Sequence, residues 1–194
     1  MNRTVRNGTL IATLSAALLG LVGCGSGGSE SVAPVAPATT SAAVAPASIQ
    51  VGVPTRVEIP AIDVDEALHG VGLNPDGSMQ TPDFGDAAWY DLGPRPGASG
   101  PAVVLAHVDS KGGPDVFYRL KDLEPGDRVT VHREDGASTF VVDSLEQVQK
   151  DALPYERIWA DTDESVLRLI TCGGSFDHST GNYRDNIIVY AHLV

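Results

Sequence analysis

Cys172, His107 and Arg184 are the residues of this chain whose types and settings suit covalent chemistry. Cys172 closes the run Leu169-Ile170-Thr171 and is followed by Gly173-Gly174. A thiol where a buried strand ends is held firmly, and adjacent glycines allow close approach without a Cβ clash. Beyond them Ser175, Asp177, His178, Ser179, Thr180, Gly181 and Asn182 have loop composition, which predicts a thiol at a rim. A buried, inert cysteine is the competing reading. A thiol nucleophile needs a proton partner and a donor for the oxyanion. His107 ends the apolar run Ala102 to Ala106, so it too sits where a strand leaves the core. His178 is its rival, six residues after Cys172. His69, His132 and His192 fall in or near alternating segments and read as surface or hydrogen-bonded residues. Arg184 offers fixed, always charged donors. A surface salt bridge to Asp177 or Asp185 is the plainer reading of that arginine.

The elements that must position these groups are short and β-branched. Arg56 to Ile59 alternates, and Ala67 to Leu73 is closed by the turn signal Asn74-Pro75-Asp76-Gly77. Ala102 to Ala106 is continuously apolar and predicts a strand buried on both faces. Arg128 to His132 and Thr139 to Val148 predict a hairpin with an Asp-Gly turn. Val166 to Thr171 and Ile187 to Leu193 predict the last two strands, and Pro154 to Trp159 a loop or short helix. About seven strands with almost no long amphipathic helix indicate a mainly all-β barrel or sandwich.

The N-terminus predicts a targeting segment. Arg3 and Arg6 precede an apolar stretch from Thr9 to Val22, shorter than the about 20 residues of a membrane helix. Leu21-Val22-Gly23-Cys24 resembles a bacterial lipobox. Residues 1–23 are therefore expected to be a lipoprotein signal peptide, with Cys24 lipidated. An ordinary signal peptide or an uncleaved anchor is the alternative. Residues 24–54, rich in Gly, Ser, Ala and Pro, are expected to be a flexible linker. At roughly 3.1 Å per residue, about 30 extended residues reach at most about 90 Å. The expected location is the outer face of the cell membrane, reaching into the cell wall. Residues 55–194 then form one domain, long enough for a core without a disulfide. The formal net charge of the chain is −12, which disfavours nucleic-acid partners and gives no attraction to anionic lipid.

Three motifs in order resemble those of the sortases, the cysteine transpeptidases of Gram-positive surfaces. Ala106-His107-Val108-Asp109 is similar to the family's histidine motif. Leu169-Ile170-Thr171-Cys172 is similar to the core of Thr-Leu-x-Thr-Cys, with Arg168 in place of the leading Thr. Asn182-Tyr183-Arg184-Asp185-Asn186 carries an arginine where the family has one. Ile59 to Ile62, Gly72-Leu73 with Gly77 to Met79, Trp89-Tyr90 with Gly93-Pro94, and Pro114 to Phe117 with Arg119-Leu120 most resemble class F sortases of actinobacteria. The resemblance covers nearly all of residues 55–194. It differs in anchoring, because such enzymes commonly carry a transmembrane helix rather than a lipobox.

The resemblance implies an eight-stranded sortase β-barrel with short helices. It implies cleavage of a Leu-Pro-x-Thr-Gly-type sorting signal at Thr-Gly through a thioacyl intermediate on Cys172. The acyl group would pass to an amine, such as a peptidoglycan precursor or a protein, or to water. His107 would act as acid and base, Arg184 would hold the oxyanion or peptide, and Thr171 would help shape the oxyanion or substrate pocket. Partners would be surface proteins bearing a C-terminal sorting signal, an amine acceptor, and the membrane through the N-terminal lipid. Substrate specificity is expected in the segment from Asp143 to Asp163, with Tyr155 and Trp159. No cofactor or metal is expected: there is no Cys-x-x-Cys, and Asp161-x-Asp163-x-Ser165 lacks the glycine and terminal Glu of a calcium loop. A catalytically inactive, lipid-tethered binding module on the same fold is the alternative. An L,D-transpeptidase fits less well, because its His and Cys share one motif.

Overall fold

Strand β4 (Gly100–Ala106) is buried at every residue because both of its faces are covered. Ala102, Val104 and Ala106 point into one core cluster, and Val103 and Leu105 into another. Continuous apolarity is the mark of such a strand. The computed structural model describes residues 51–194. Cys24, the signal segment and most of the linker lie outside these residues.

In chain order the strands are β1 (Pro54–Ile59), β2 (Val64–Val71), β3 (Ala87–Tyr90) and β4 (Gly100–Ala106). The two-residue strands β5 (Asp109–Ser110) and β6 (Gly113–Pro114) follow, then β7 (Arg128–Arg133) and β8 (Gly136–Gln149). Helix α1 (Tyr155–Trp159) precedes β9 (Ser165–Asp177) and β10 (Asn182–Leu193). Eight of these strands close a barrel in the order β1-β2-β3-β4-β9-β10-β8-β7. Pairing is antiparallel except for β2 with β3 and β4 with β9. The expected mainly β, eight-stranded barrel with short helices is the observed fold.

The inner core holds Phe117, Phe140, Leu120, Leu167 and Leu169, all fully buried. Each contributes about 1.5–3 kcal/mol through burial. The smaller cluster lies on the outer face of β4, β9 and β10, where Ile158 of α1 covers Val103, Leu105, Ile188 and Tyr190. Arg168 fastens that helix. Its Nε donates to the Arg157 carbonyl at 3.1 Å, and its guanidinium lies 4.8 Å from the Tyr190 ring centre. The family's leading Thr is thus replaced by a residue that holds α1 to the barrel.

The expected turns are present, including Gly77 N–H donating to the Asn74 carbonyl at 2.9 Å. Strand β3 escaped the sequence reading, because Ala-Ala-Trp-Tyr is short and does not alternate. The boundaries of β9 and β10 also differ from expectation. Cys172 does not sit past the end of a strand: it pairs with Asn186, and β9 runs on to Asp177. The extension is a two-stranded ribbon beyond the barrel. Its hydrogen bonds are made across the hairpin, so it needs no apolar face, and its polar side chains read as loop. The glycines serve this ribbon. A Cβ on Gly173 would come within 2.7 Å of Ile187, and Gly174 has φ +72° beside the Asp185 carboxylate.

Candidate active site

β9 carries Cys172 on the barrel's outer face, two residues after Ile170. Cys172 is partly exposed and is the free cysteine of the described residues. His107 directly follows β4, which pairs with β9 in parallel. Both residues line one cleft of about 770 Å³, together with Lys150, His178, Asn182 and Tyr183. Two positions 65 residues apart are thereby brought to one wall of the barrel.

The imidazole of His107 is held by its neighbours. Its Nε2 lies 2.9 Å from the Pro82 carbonyl, and its ring centre is 4.4 Å from that of Phe84. A carbonyl only accepts, so Nε2 carries the proton and Nδ1 is left for proton exchange. Asp109, two residues on, accepts a hydrogen bond from the Tyr183 hydroxyl. The Tyr183 phenol is pushed up to about 12, first by that bond and then by burial. This contact ties the segment after His107 to β10 across the cleft.

Thr171 is 4% exposed and points into the barrel, where its hydroxyl donates to the Ala106 carbonyl at 2.8 Å. It also lines a second cavity of about 300 Å³ beside Cys172, with Gln147 and Lys121. Arg184 lies on β10 beyond Asn186, the cross-strand partner of Cys172. Between the pairs Tyr183↔Phe176 and Asp185↔Gly173, Gly174 and Ser175 face Arg184 alone. Such a bulge re-aims a side chain. The Arg184 guanidinium, 65% exposed, donates to Asp177 at 3.1 Å and does not line the cleft with Cys172 and His107. Asp177 is held below the usual carboxylate range, first by the Ser179 hydroxyl and backbone, and also by Arg184.

His178 packs edge-on against Phe176, ring centres 5.1 Å apart, and shares the cleft. Of the remaining histidines, His132 bonds Glu58 at 3.1 Å, His192 bonds Asp143 at 2.6 Å, and His69 is exposed. Sequence reasoning missed Lys150. Its ammonium donates to Cys172 Sγ at 3.3 Å and to Asn182 Oδ1 at 2.7 Å. Nothing in Gln149-Lys150-Asp151 marks it, because only the pairing of β8 with β10 brings it near β9.

An apolar groove of about 480 Å³ runs over the outer face toward the thiol. Met79, Tyr90, Leu105, Tyr155, Ile158 and Trp159 line it, and Ile170 and Asn186 form its end near Cys172. Tyr155 and Trp159 were expected at a specificity groove, and they line this one. Among the described residues, no group of three or more His, Cys, Asp or Glu could hold a metal ion. Among them too, no helix is long and apolar enough to cross a membrane.

The described residues thus form a closed β-barrel with a thiol and an imidazole in one cleft. The sequence model of the sortase domain matches residues 57–194, and the chain belongs to the sortase family. Its fold is similar to sortase C-1 from Streptococcus pneumoniae, at 22% identity and a TM-score of 0.54, covering 72% of this chain and 66% of that one. It is also similar to sortase A from Corynebacterium diphtheriae, at 17% identity and a TM-score of 0.55, covering 75% of this chain and 62% of that one. Sortase C1 from Streptococcus agalactiae matches at 20% identity with a TM-score of 0.56, covering 72% of this chain and 66% of that one. The chain thus spans just under two thirds of the length of these neighbours. No curated protein matches the sequence.

Proposed function

We propose that this sortase is an active cysteine transpeptidase that cleaves a Leu-Pro-x-Thr-Gly-type sorting signal at Thr-Gly. The observation that carries this reading is the meeting of Cys172 and His107 in one cleft, with an apolar groove running toward the thiol. The groove suits an apolar Leu-Pro segment and would bring the following peptide bond to the sulfur. Cys172 attacks the carbonyl and forms a thioacyl-enzyme. His107 gives a proton to the leaving amine and takes one from the incoming amine. Water replaces that amine when no acceptor is present. Arg184 steadies the peptide or the oxyanion after leaving Asp177. That exchange is easy, because an exposed ion pair is weak. Thr171 shapes the pocket from beneath.

The partners are surface proteins bearing a sorting signal and an amine acceptor such as a peptidoglycan precursor. Class F of the actinobacterial sortases is the subgroup that the motifs favour. Residues 1–23 act as a lipoprotein signal peptide, and Cys24 carries the lipid that tethers residues 55–194 through the linker 24–54. The protein then works at the outer face of the membrane and reaches into the wall.

A vinyl-sulfone analogue of the sorting peptide tests the reading on the full chain. It labels Cys172, and a scrambled peptide and Cys172→Ala give no adduct. Cleavage of the peptide by Cys172→Ala would overturn the assignment. A tethered, inactive binding module is the second reading, favoured by the pairing of Arg184 with Asp177. It requires peptide binding with no covalent adduct on the wild-type chain.

A further inference from the structure

The cation nearest the nucleophile is not the arginine of the family motif. Arg184 is turned to Asp177, while Lys150 reaches across β10 from the end of β8 to Cys172. Its ammonium makes two directed contacts, to Cys172 Sγ at 3.3 Å and to Asn182 Oδ1 at 2.7 Å. Asn182 opens β10 and lines the same cleft. Its amide oxygen fixes a long side chain that would otherwise move freely in solvent. No carboxylate is bonded to Lys150 among the described residues, so its charge is directed at the sulfur.

We propose that Lys150 is a further catalytic residue, held by Asn182, whose ammonium stabilises negative charge on Cys172 and then on the oxyanion. A lysine beside a thiolate favours the reactive anion. Attack begins from sulfur as thiolate and His107 protonated. A sulfur lone pair forms the C–S bond while the carbonyl π pair moves to oxygen. The charge travels only one or two bonds, so one ammonium serves both positions. The oxygen pair then returns, the C–N bond breaks, and the proton of His107 goes to the leaving amine. Lys150 keeps its protons throughout and is never consumed. In this arrangement His107 handles proton transfer, Lys150 holds the charge on sulfur, and at the oxyanion it acts beside Arg184. Asn182 is a positioning residue. The inference about the oxyanion rests on the transpeptidase reading, and the inference about the sulfur does not.

The test compares the full-length wild type with Lys150→Met, Lys150→Arg, Asn182→Ala and Asn182→Asp. The first readout is the rate at which iodoacetamide alkylates Cys172 at neutral pH, located by peptide mass. A hydrogen bond to a charged group predicts a slowing of about 10- to 100-fold in Lys150→Met. Lys150→Arg keeps most of the rate. Asn182→Ala falls between, and Asn182→Asp, whose carboxylate pairs with the ammonium and draws its charge from the sulfur, is slowed as well. The second readout is turnover of a sorting peptide, where Lys150→Met lowers kcat and leaves KM nearly unchanged. Alkylation of Lys150→Met at the wild-type rate would overturn the proposal. If Lys150→Met does not fold, a wild-type rate in folded Asn182→Ala overturns it instead. A wild type that cleaves no sorting peptide, with the alkylation contrast intact, overturns the transpeptidase reading and leaves the role of Lys150 at sulfur standing.

Discussion

The hydroxyl of Thr171 donates to the carbonyl of Ala106 at 2.8 Å, which bonds the residue before the thiol to the residue before the imidazole. Strands β4 and β9 pair in parallel from Gly100↔Ser165 to Leu105↔Ile170, and this bond prolongs the contact by one residue. The relative position of Cys172 and His107 is therefore set from inside the barrel, by a side chain 4% exposed.

Thr171→Val should loosen that junction. It leaves a buried carbonyl short of a partner, which costs about 1–3 kcal/mol. The expected outcome is a lower Tm and a lower kcat. Thr171→Ser keeps the hydroxyl and should recover most of both. Thermal unfolding and peptide turnover, measured on the same samples, check this.

Arg184 and Asp177 make opposite predictions. Arg184→Ala should lower kcat/KM by about 100-fold or more, the loss typical of an oxyanion donor. Asp177→Ala releases the guanidinium and should leave kcat/KM equal or higher. A fall in Asp177→Ala as deep as in Arg184→Ala would mean that the ion pair itself is the working arrangement. Steady-state kinetics with one sorting peptide decide between them.

Trp159 and Tyr155 line the apolar groove and lie away from the reacting atoms. Trp159→Ala should raise KM about tenfold and change kcat little, the pattern of lost uniform binding. The substitution should also relax selectivity for the apolar end of the peptide. A peptide library read against wild type and variant checks both.

Tyr183 gives a pH prediction whose sign follows from its raised phenol. The folded value is about 12, above the ordinary value of about 10, so the stabilisation is complete below about pH 10. It is lost as pH rises through 12. Alkaline titration should show a late-ionising tyrosine, with loosening of the cleft in the same interval. Tyr183→Phe should remove that step from the tyrosinate absorbance titration. Tyr190, also raised by burial and its bond to Glu146, should remain late in both.

Much of this arrangement was legible in the residues. Cys172 and His107 stood at the ends of apolar runs, and those runs are the buried portions of β9 and β4. The β7–β8 hairpin and the turn at Asn74 to Gly77 followed from local chemistry. The β9–β10 ribbon was not legible. Beyond the barrel its strands satisfy one another's backbone without an apolar face, so hydropathy gives no sign of pairing. Lys150 was not legible either. A lysine's role depends on where a long, flexible side chain ends, and its neighbours in space come from β9 and β10.

The sequence by itself determined the strand-rich class, the identity of the thiol and its candidate partners, and the family. These depend on residue type, local spacing and hydropathy, which are properties of the chain alone. Only the tertiary structure decided which groups face the sulfur. It set Lys150 and Asn182 beside Cys172, turned Arg184 to Asp177, and bonded Thr171 to Ala106. The reason is geometric: barrel closure fixes the register between strands distant in sequence, and one bulge is enough to re-aim a side chain.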